Sequence, residues 1–296
     1  MMETESRSAR YTRVETWPLR EIVGALLEGQ VSAAASALAI APGVEHAVTQ
    51  GVARLSKGGR LFYIGAGTSG RIAAQDGVEL VPTYGWPRDR LVILLAGGAE
   101  AMLFSAEEAE DDAAAAEAEM QSHAPTVDDV VIGVAASGRT PYTCAAIECA
   151  KDAGALTIGI AGNRPSRLLD VVDCPLFADT GAEIVAGSTR MKAGTAQKAI
   201  LNSLSTALMI RLGRVYEGQM THMSITNAKL RERALLMIAE LTYADGATCT
   251  AALRASGDYL PLAILLATGL DEGTAQERLD LACGDVGRAI KGAHDG

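Results

Sequence analysis

From about Leu19 to Ser56 apolar residues recur every three or four positions, as in LREIVGALL and GVEHAVTQGVARLS. That period predicts two helices, parted at Pro42-Gly43. The pattern then shortens into the runs Arg60–Gly65, Arg90–Ala96, Asp129–Ala135 and Ala155–Ile160, each bounded by charge or glycine. Hydrophobicity that is continuous rather than alternating marks strands covered on both faces, and helix-length spacers between them predict a parallel βαβ sheet. A weaker fifth strand, Asp173–Ala178, contains Pro175, which has no amide to donate and suits an edge. Arg190 to Leu212 then reads as one long helix. Three or four shorter helices follow between about Asn227 and Ile290, with turn signals at Asp245-Gly246, Ser256-Gly257, Thr268-Gly269 and Cys283-Gly284. The expected architecture is α/β with a doubly wound parallel sheet. N-terminal helices occupy 1–58, the core 59–242, and a small helical module 243–296.

Composition narrows this further. The 296 residues suit one large domain with a small appendage, and aromatics supply only 4%, so the core must come from Ala, Val, Ile and Leu. Lysine and arginine number 26 against 36 acidic residues, a net charge of −10. A general nucleic-acid surface, which needs a basic face, is therefore excluded. An anionic small molecule needs only a local pocket of donors. The N-terminal stretch has no apolar run that reads as a signal, and no uninterrupted apolar run reaches the ~18 residues of a membrane span. A soluble cytoplasmic protein without a membrane partner is expected. The five cysteines, Cys144, Cys149, Cys174, Cys249 and Cys283, form no CxxC pair and do not cluster with histidine. No metal site is expected, and buried free thiols are.

Three loops carry candidate chemistry. Gly65-Ala-Gly-Thr-Ser-Gly-Arg71 follows the first strand and opens a helix. Its glycines, with Gly67 central, let backbone approach an anion, and Thr68 and Ser69 add hydroxyls at a helix N-terminus. The string matches a dinucleotide fingerprint at its glycines, yet the following strand, Leu91 to Ala96, ends without an acid, which disfavours a nicotinamide cofactor. No P-loop string exists, and no cofactor is expected. Ala135–Tyr142 (AASGRTPY) forms a second strand-to-helix corner, with Ser137, Gly138, Arg139 and Thr140 before Pro141, a residue suited to a first helical position. Gly187–Thr195 (GSTRMKAGT) is the third, where Ser188 or Thr189 would cap the long helix and Lys192 supplies charge. Each alone reads equally as an ordinary capped turn. In an open α/β sheet, however, the first two would meet at the carboxyl ends of the strands, where ligands bind.

GAGTSGR, AASGRTPY and GSTRMKAGTAQK resemble the sugar isomerase (SIS) domain family, and within it the N-acetylmuramic acid 6-phosphate etherases. The resemblance runs from about Arg60 to the C-terminus. It implies a three-layer, Rossmann-like fold and a sugar 6-phosphate held among Thr68, Ser69, Ser137 and Thr140. It also implies cleavage of the lactyl ether of N-acetylmuramic acid 6-phosphate, and a homodimer with active sites near the subunit boundary. The long helix would contribute Leu201, Leu204 and Leu208 to that boundary. An aldose–ketose isomerase of the same fold and a non-catalytic sugar-phosphate sensor, like the related glucokinase regulatory protein, are the alternatives.

The same resemblance selects carboxylates. Glu79 would lie in the last turn of a helix that begins near Gly70 and ends before Pro82. There the negative helix end and Asp76, one turn back, both oppose its charge, as a general acid requires. Spacing alone reads it as a solvated residue, whereas DGVELVPTYG is similar to the segment bearing the etherases' acid–base glutamate. Glu107, Glu108, Glu110, Asp111 and Asp112 crowd an alanine-rich helix and read as a solvated face. The resemblance singles out Glu110 through Ala109-Glu110-Asp111. Glu183 reads either as a hydrogen-bond acceptor for a sugar hydroxyl or as an exposed strand-end residue. Lys198, six residues beyond Lys192, faces another side of its helix. Two strings depart from the etherase pattern: TESRSARY stands for TExxN, and GQMTHMSI, with His222, stands for NLMVDL.

Overall fold

The computed structural model describes residues 3–104 and 106–292. The outermost ends of the expected N- and C-terminal segments, residues 1, 2 and 293–296, lie outside the described residues. Two compact units emerge, one from residues 1–77 and 89–205, the other from 78–88 and 206–296.

The first unit is built on β1 (Leu61–Gly65), β2 (Leu91–Leu95), β3 (Val130–Val134), β4 (Leu156–Ala161) and β5 (Cys174–Phe177), all parallel, in the order β2-β1-β3-β4-β5. The three inner strands are buried at every position, which is why they read as unbroken apolar runs. β5 lies at an edge with Pro175 exposed, where its missing amide breaks no ladder. Phe62 and Ile64 face one layer, α4 (Ala113–Ser122), α5 (Pro141–Asp152) and α6 (Arg167–Val171), and join Val131, Met120 and Ile147 in its core. Tyr63 faces the opposite side, where Asp76 accepts its hydroxyl at 2.8 Å and also accepts Asn202 Nδ2 and Ser205 Oγ. Burial and this carboxylate hold the Tyr63 phenol well above its ordinary pKa. The third layer includes α2 (Ala41–Leu55) and the parts of α3 (Gly67–Tyr84) and α7 (Lys192–Arg211) that belong to this unit.

The helix boundaries correct several expectations. α1 (Leu19–Ala39) and α2 part at Ile40, and Pro42 sits in the first turn of α2, where a missing amide costs nothing. α3 continues through Pro82 to Tyr84. Its late carbonyls are taken up by Gly85 N on Val81, Trp86 N on Leu80 and Ser224 N on Pro82. Proline removes one helical hydrogen bond, but these partners stabilise the final turn. The acidic run lies on a short 3-10 turn, Glu107–Glu110, ahead of α4, and Asp112 caps that helix by accepting Ala115 N at 2.9 Å.

α1 also departs from expectation. It buries only Ala25, Gly29 and Ala33, while Leu19, Leu27, Val31 and Leu38 are 63–76% exposed. By length and composition it is apolar enough to cross a membrane, with 17% of its most apolar window buried. Leu201, Leu204 and Leu208, expected at a subunit boundary, are instead fully buried within the chain.

In the second unit five helices follow where three or four were expected: α8 (Ala228–Thr242), α9 (Gly246–Ala255), α10 (Leu260–Ala267), α11 (Glu272–Leu281) and α12 (Val286–Lys291). Asn227, Asp245, Asp271 and Asp285 each cap one of them through a side-chain oxygen. α10 is apolar throughout and buried at the centre of the bundle. All five cysteines are free, and Cys283, against expectation, is exposed.

Candidate functional site

With strand order 2-1-3-4-5, the chain reverses direction across the sheet between β1 and β3, so their following loops diverge and open a crevice at the strands' carboxyl ends. A cavity of about 520 Å3 occupies this place. Gly67, Thr68 and Ser69 line it from the first turn of α3, and Ser137 and Thr140 from the turn before α5. The first amides of a helix have no acceptor within it, so both helix starts present donors here. Ala136 N donates to Ser69 Oγ at 3.3 Å and ties the two loops together. Ser137 Oγ accepts the Arg139 amide and lies 3.4 Å from Thr140 Oγ1. Thr189 comes in from the third loop. Two helix starts and the hydroxyls of Thr68, Ser69, Ser137 and Thr140 thus face one cavity.

Carboxylates face the same cavity. Glu110 and Asp111 line it, and so does Glu5 of the N-terminal segment. Gly67 makes room for the first of these: it holds a φ of +52°, and a Cβ there would stand 2.5 Å from Glu110 Oε1. Arg71 is the cation among the described lining residues, its guanidinium held by the carbonyls of Ala101 (2.7 Å) and Phe104 (3.2 Å).

Other expected site residues lie elsewhere. Glu183 is buried, and its two oxygens accept the amides of Lys192 (3.1 Å) and Ala193 (2.9 Å). It caps α7, the task expected of Ser188 or Thr189, because a carboxylate both satisfies two orphan amides and meets the positive helix end. Lys192 is buried too and donates to the carbonyl of Thr180, since packing beneath Gly29 of α1 turns its chain away from solvent. Arg139 is exposed and donates to the carbonyl of Pro165. Gly138 serves as scaffold, its carbonyl accepting Ser166 Oγ and Leu168 N. Ser188 is half-buried outside the lining.

Glu79 belongs to the second unit, exposed on α3 and absent from the cavity lining. Because α3 runs to Tyr84, Glu79 stands more than a turn from the helix end, where the dipole has decayed. Asp76 is buried in its own hydrogen bonds. His222 is buried as well; burial and then Arg214 push its pKa down to about 3, which leaves a neutral imidazole. Among the described residues no group of His, Cys, Asp and Glu is arranged to hold a metal ion.

Sequence reasoning missed Thr4 and Glu5 in the lining. Their string, TE, was visible, but nothing local connects it to loops some 130–185 residues away.

Residues 43–151 match the family model of the glucokinase regulatory protein N-terminal SIS domain. A solved structure from Bacteroides fragilis, described as a phosphosugar isomerase involved in capsule formation, shares the fold. The TM-score is 0.52 at 22% identity, over 68% of this chain and 95% of that one. Parallel sheet, strand order and switch-point cavity thus define an SIS-type α/β protein with a helical C-terminal region. The relatives are more particular. N-acetylmuramic acid 6-phosphate etherase of Deinococcus radiodurans is 45% identical over 288 residues, 97% of this chain and 94% of the relative. The protein of that name from Rubrobacter xylanophilus is 42% identical over 290 residues, covering 97% and 95% respectively. The chain belongs to the N-acetylmuramic acid 6-phosphate etherase family.

Proposed function

We propose that the protein is a cofactor-independent carbon–oxygen lyase that cleaves the D-lactyl ether of N-acetylmuramic acid 6-phosphate. The products are N-acetylglucosamine 6-phosphate and D-lactate, and the role is recycling of cell-wall amino sugar. The observation that carries this reading is the cavity itself. It has hydroxyls and helix-start amides at one end and the Glu110 carboxylate beside Gly67, in a chain of the etherase family. Thr68, Ser69, Ser137 and Thr140 receive the phosphate, where two helix N-termini favour negative charge. In the open-chain sugar the aldehyde acidifies the C2–H bond. A base takes that proton, the C3–O bond breaks with its electron pair going to the lactyl oxygen, and an acid protonates that oxygen. Water then adds across the resulting C2–C3 alkene and restores the hydroxyl at C3. One carboxylate must be ionised while another is protonated.

Glu79 is assigned as the proton donor by the similarity of DGVELVPTYG to the etherase segment alone, and Glu110 is the carboxylate of the two that faces this cavity. Glu79→Gln abolishes lactate release while binding of N-acetylglucosamine 6-phosphate survives; retained turnover refutes the assignment. A non-catalytic sensor is the second reading, favoured by the regulatory-protein family model, and it requires that no ether cleavage occur at all.

The exposed stripe Leu19, Val23, Leu27, Val31 on α1 supports a homodimer in which a second copy covers it. Five free thiols support a reducing, cytoplasmic location. The segments 1–58, 59–242 and 243–296 serve in this reading as N-terminal helices, sugar-phosphate module and C-terminal helical module.

A further inference from the structure

The described chain opens with a 3-10 turn, Glu3–Glu5, and its middle residue is as buried as any in the core. Thr4 is 1% exposed. It is held through three groups. Its amide donates to Asn163 Oδ1 (3.2 Å), its hydroxyl accepts Asn163 Nδ2 (2.9 Å), and its carbonyl accepts Gly187 N (3.0 Å). Asn163, at the end of β4 and itself 1% exposed, also donates to the carbonyl of Ala136 at 2.8 Å. Thr4 is therefore clasped to the second and third loops of the cavity at once. A buried clasp between residues 159 positions apart is expensive to order. What it fixes is the next residue. Glu5 stands in the cavity wall, and its carboxylate packs against Gly187, where a Cβ would lie 2.9 Å from Oε2. Gly187 holds a φ of +79°, so both backbone and space are fitted to this neighbour.

We propose that Glu5 is a substrate-positioning carboxylate, held in the cavity by the Thr4–Asn163 clasp, that accepts a hydrogen bond from a hydroxyl or amide N–H of the bound sugar. This rests on the sugar-phosphate reading of the cavity. An ionised carboxylate is an acceptor only. It offers nothing to the phosphate, which the helix-start loops receive, and so it takes neutral donors of the sugar. Thr4 acts through Glu5, because its own amide and hydroxyl are taken by Asn163.

The test titrates the full-length protein calorimetrically with two probes, N-acetylglucosamine 6-phosphate and inorganic phosphate. Glu5→Ala weakens the sugar phosphate by about tenfold or more, the worth of a hydrogen bond to a charged group, while inorganic phosphate shifts less than twofold. Thr4→Val, which keeps the shape and loses the hydroxyl, moves the sugar phosphate in the same direction, and Thr4→Ser restores it. Glu5 is exposed, so its variant folds. Equal losses for both probes, or none, overturn the proposal and leave the sugar-phosphate reading standing. Failure of the unaltered protein to bind N-acetylglucosamine 6-phosphate overturns that reading and the proposal with it.

Discussion

Gly67→Ala perturbs the cavity at the point where backbone and carboxylate meet. The residue holds a φ of +52°, a left-handed conformation that costs an L-residue about 1–2 kcal/mol. The new Cβ would stand 2.5 Å from Glu110 Oε1, and ordinary contact begins at 3.4 Å, so the carboxylate must retreat by about 0.9 Å. The end of a glutamate side chain can make that move, so the stability loss stays near the backbone cost. In a protein of this size that is a fall in Tm of roughly 2–8 °C. Activity responds differently, because misplacing a reacting group by about 1 Å costs on the order of 100-fold. The assay is lactate release at saturating N-acetylmuramic acid 6-phosphate, with calorimetric unfolding in parallel. Glu110→Gln is the reference variant. If Gly67→Ala acts through Glu110, adding it to Glu110→Gln lowers kcat little further. Wild-type kcat in a Gly67→Ala protein of reduced Tm would remove Glu110 from the chemistry.

Two further outcomes follow from other parts of the chain. Asp129 accepts Arg60 N, Nε and Nη2 and Thr126 N; burial works against its charge, but these donors outweigh it and hold its carboxyl below the usual range. A carboxyl so depressed contributes stability that is present above its unfolded pKa of about 3.9 and is lost as pH falls through the lower folded value. Urea unfolding should therefore show Asp129→Asn destabilised at pH 7, with the gap to the unaltered protein narrowing by pH 3; a constant gap contradicts the pairing. On α1, Leu27→Glu with Val31→Glu places charge in the exposed stripe, and sedimentation at micromolar concentration should show a dimer for the unaltered protein and a monomer of unchanged Tm for the variant. A monomer before substitution refutes the role given to α1.

The sheet was legible because three of its strands are buried on both faces, and Pro175 even named an edge. The two hydroxyl loops were legible because glycine, serine and threonine at strand-to-helix corners admit few readings, and strand order then brings Ser69 to Ala136. What escaped depended on distant partners. α3 runs on past Pro82, and Ser224 and the turn at Gly85 then take up the carbonyls of its last turn. Glu183 resembles an exposed strand-end acid until α7 places two amides over it. Lys192 looks like an anion ligand until α1 covers it. Leu201, Leu204 and Leu208 mark an apolar face without saying whether the chain or a second copy fills it, and here the chain does. Thr4 and Glu5 lie in a polar opening stretch whose local pattern carries no trace of Asn163.

Ether cleavage at the sugar carbon leaves a signature in the released lactate. Purified protein is given N-acetylmuramic acid 6-phosphate in heavy-oxygen water. Unlabelled D-lactate is expected, with heavy oxygen at C3 of the N-acetylglucosamine 6-phosphate, because water adds to the alkene after the lactyl oxygen has left. Lactate carrying the label, or no lactate from protein that binds the compound, would contradict cleavage at the sugar carbon.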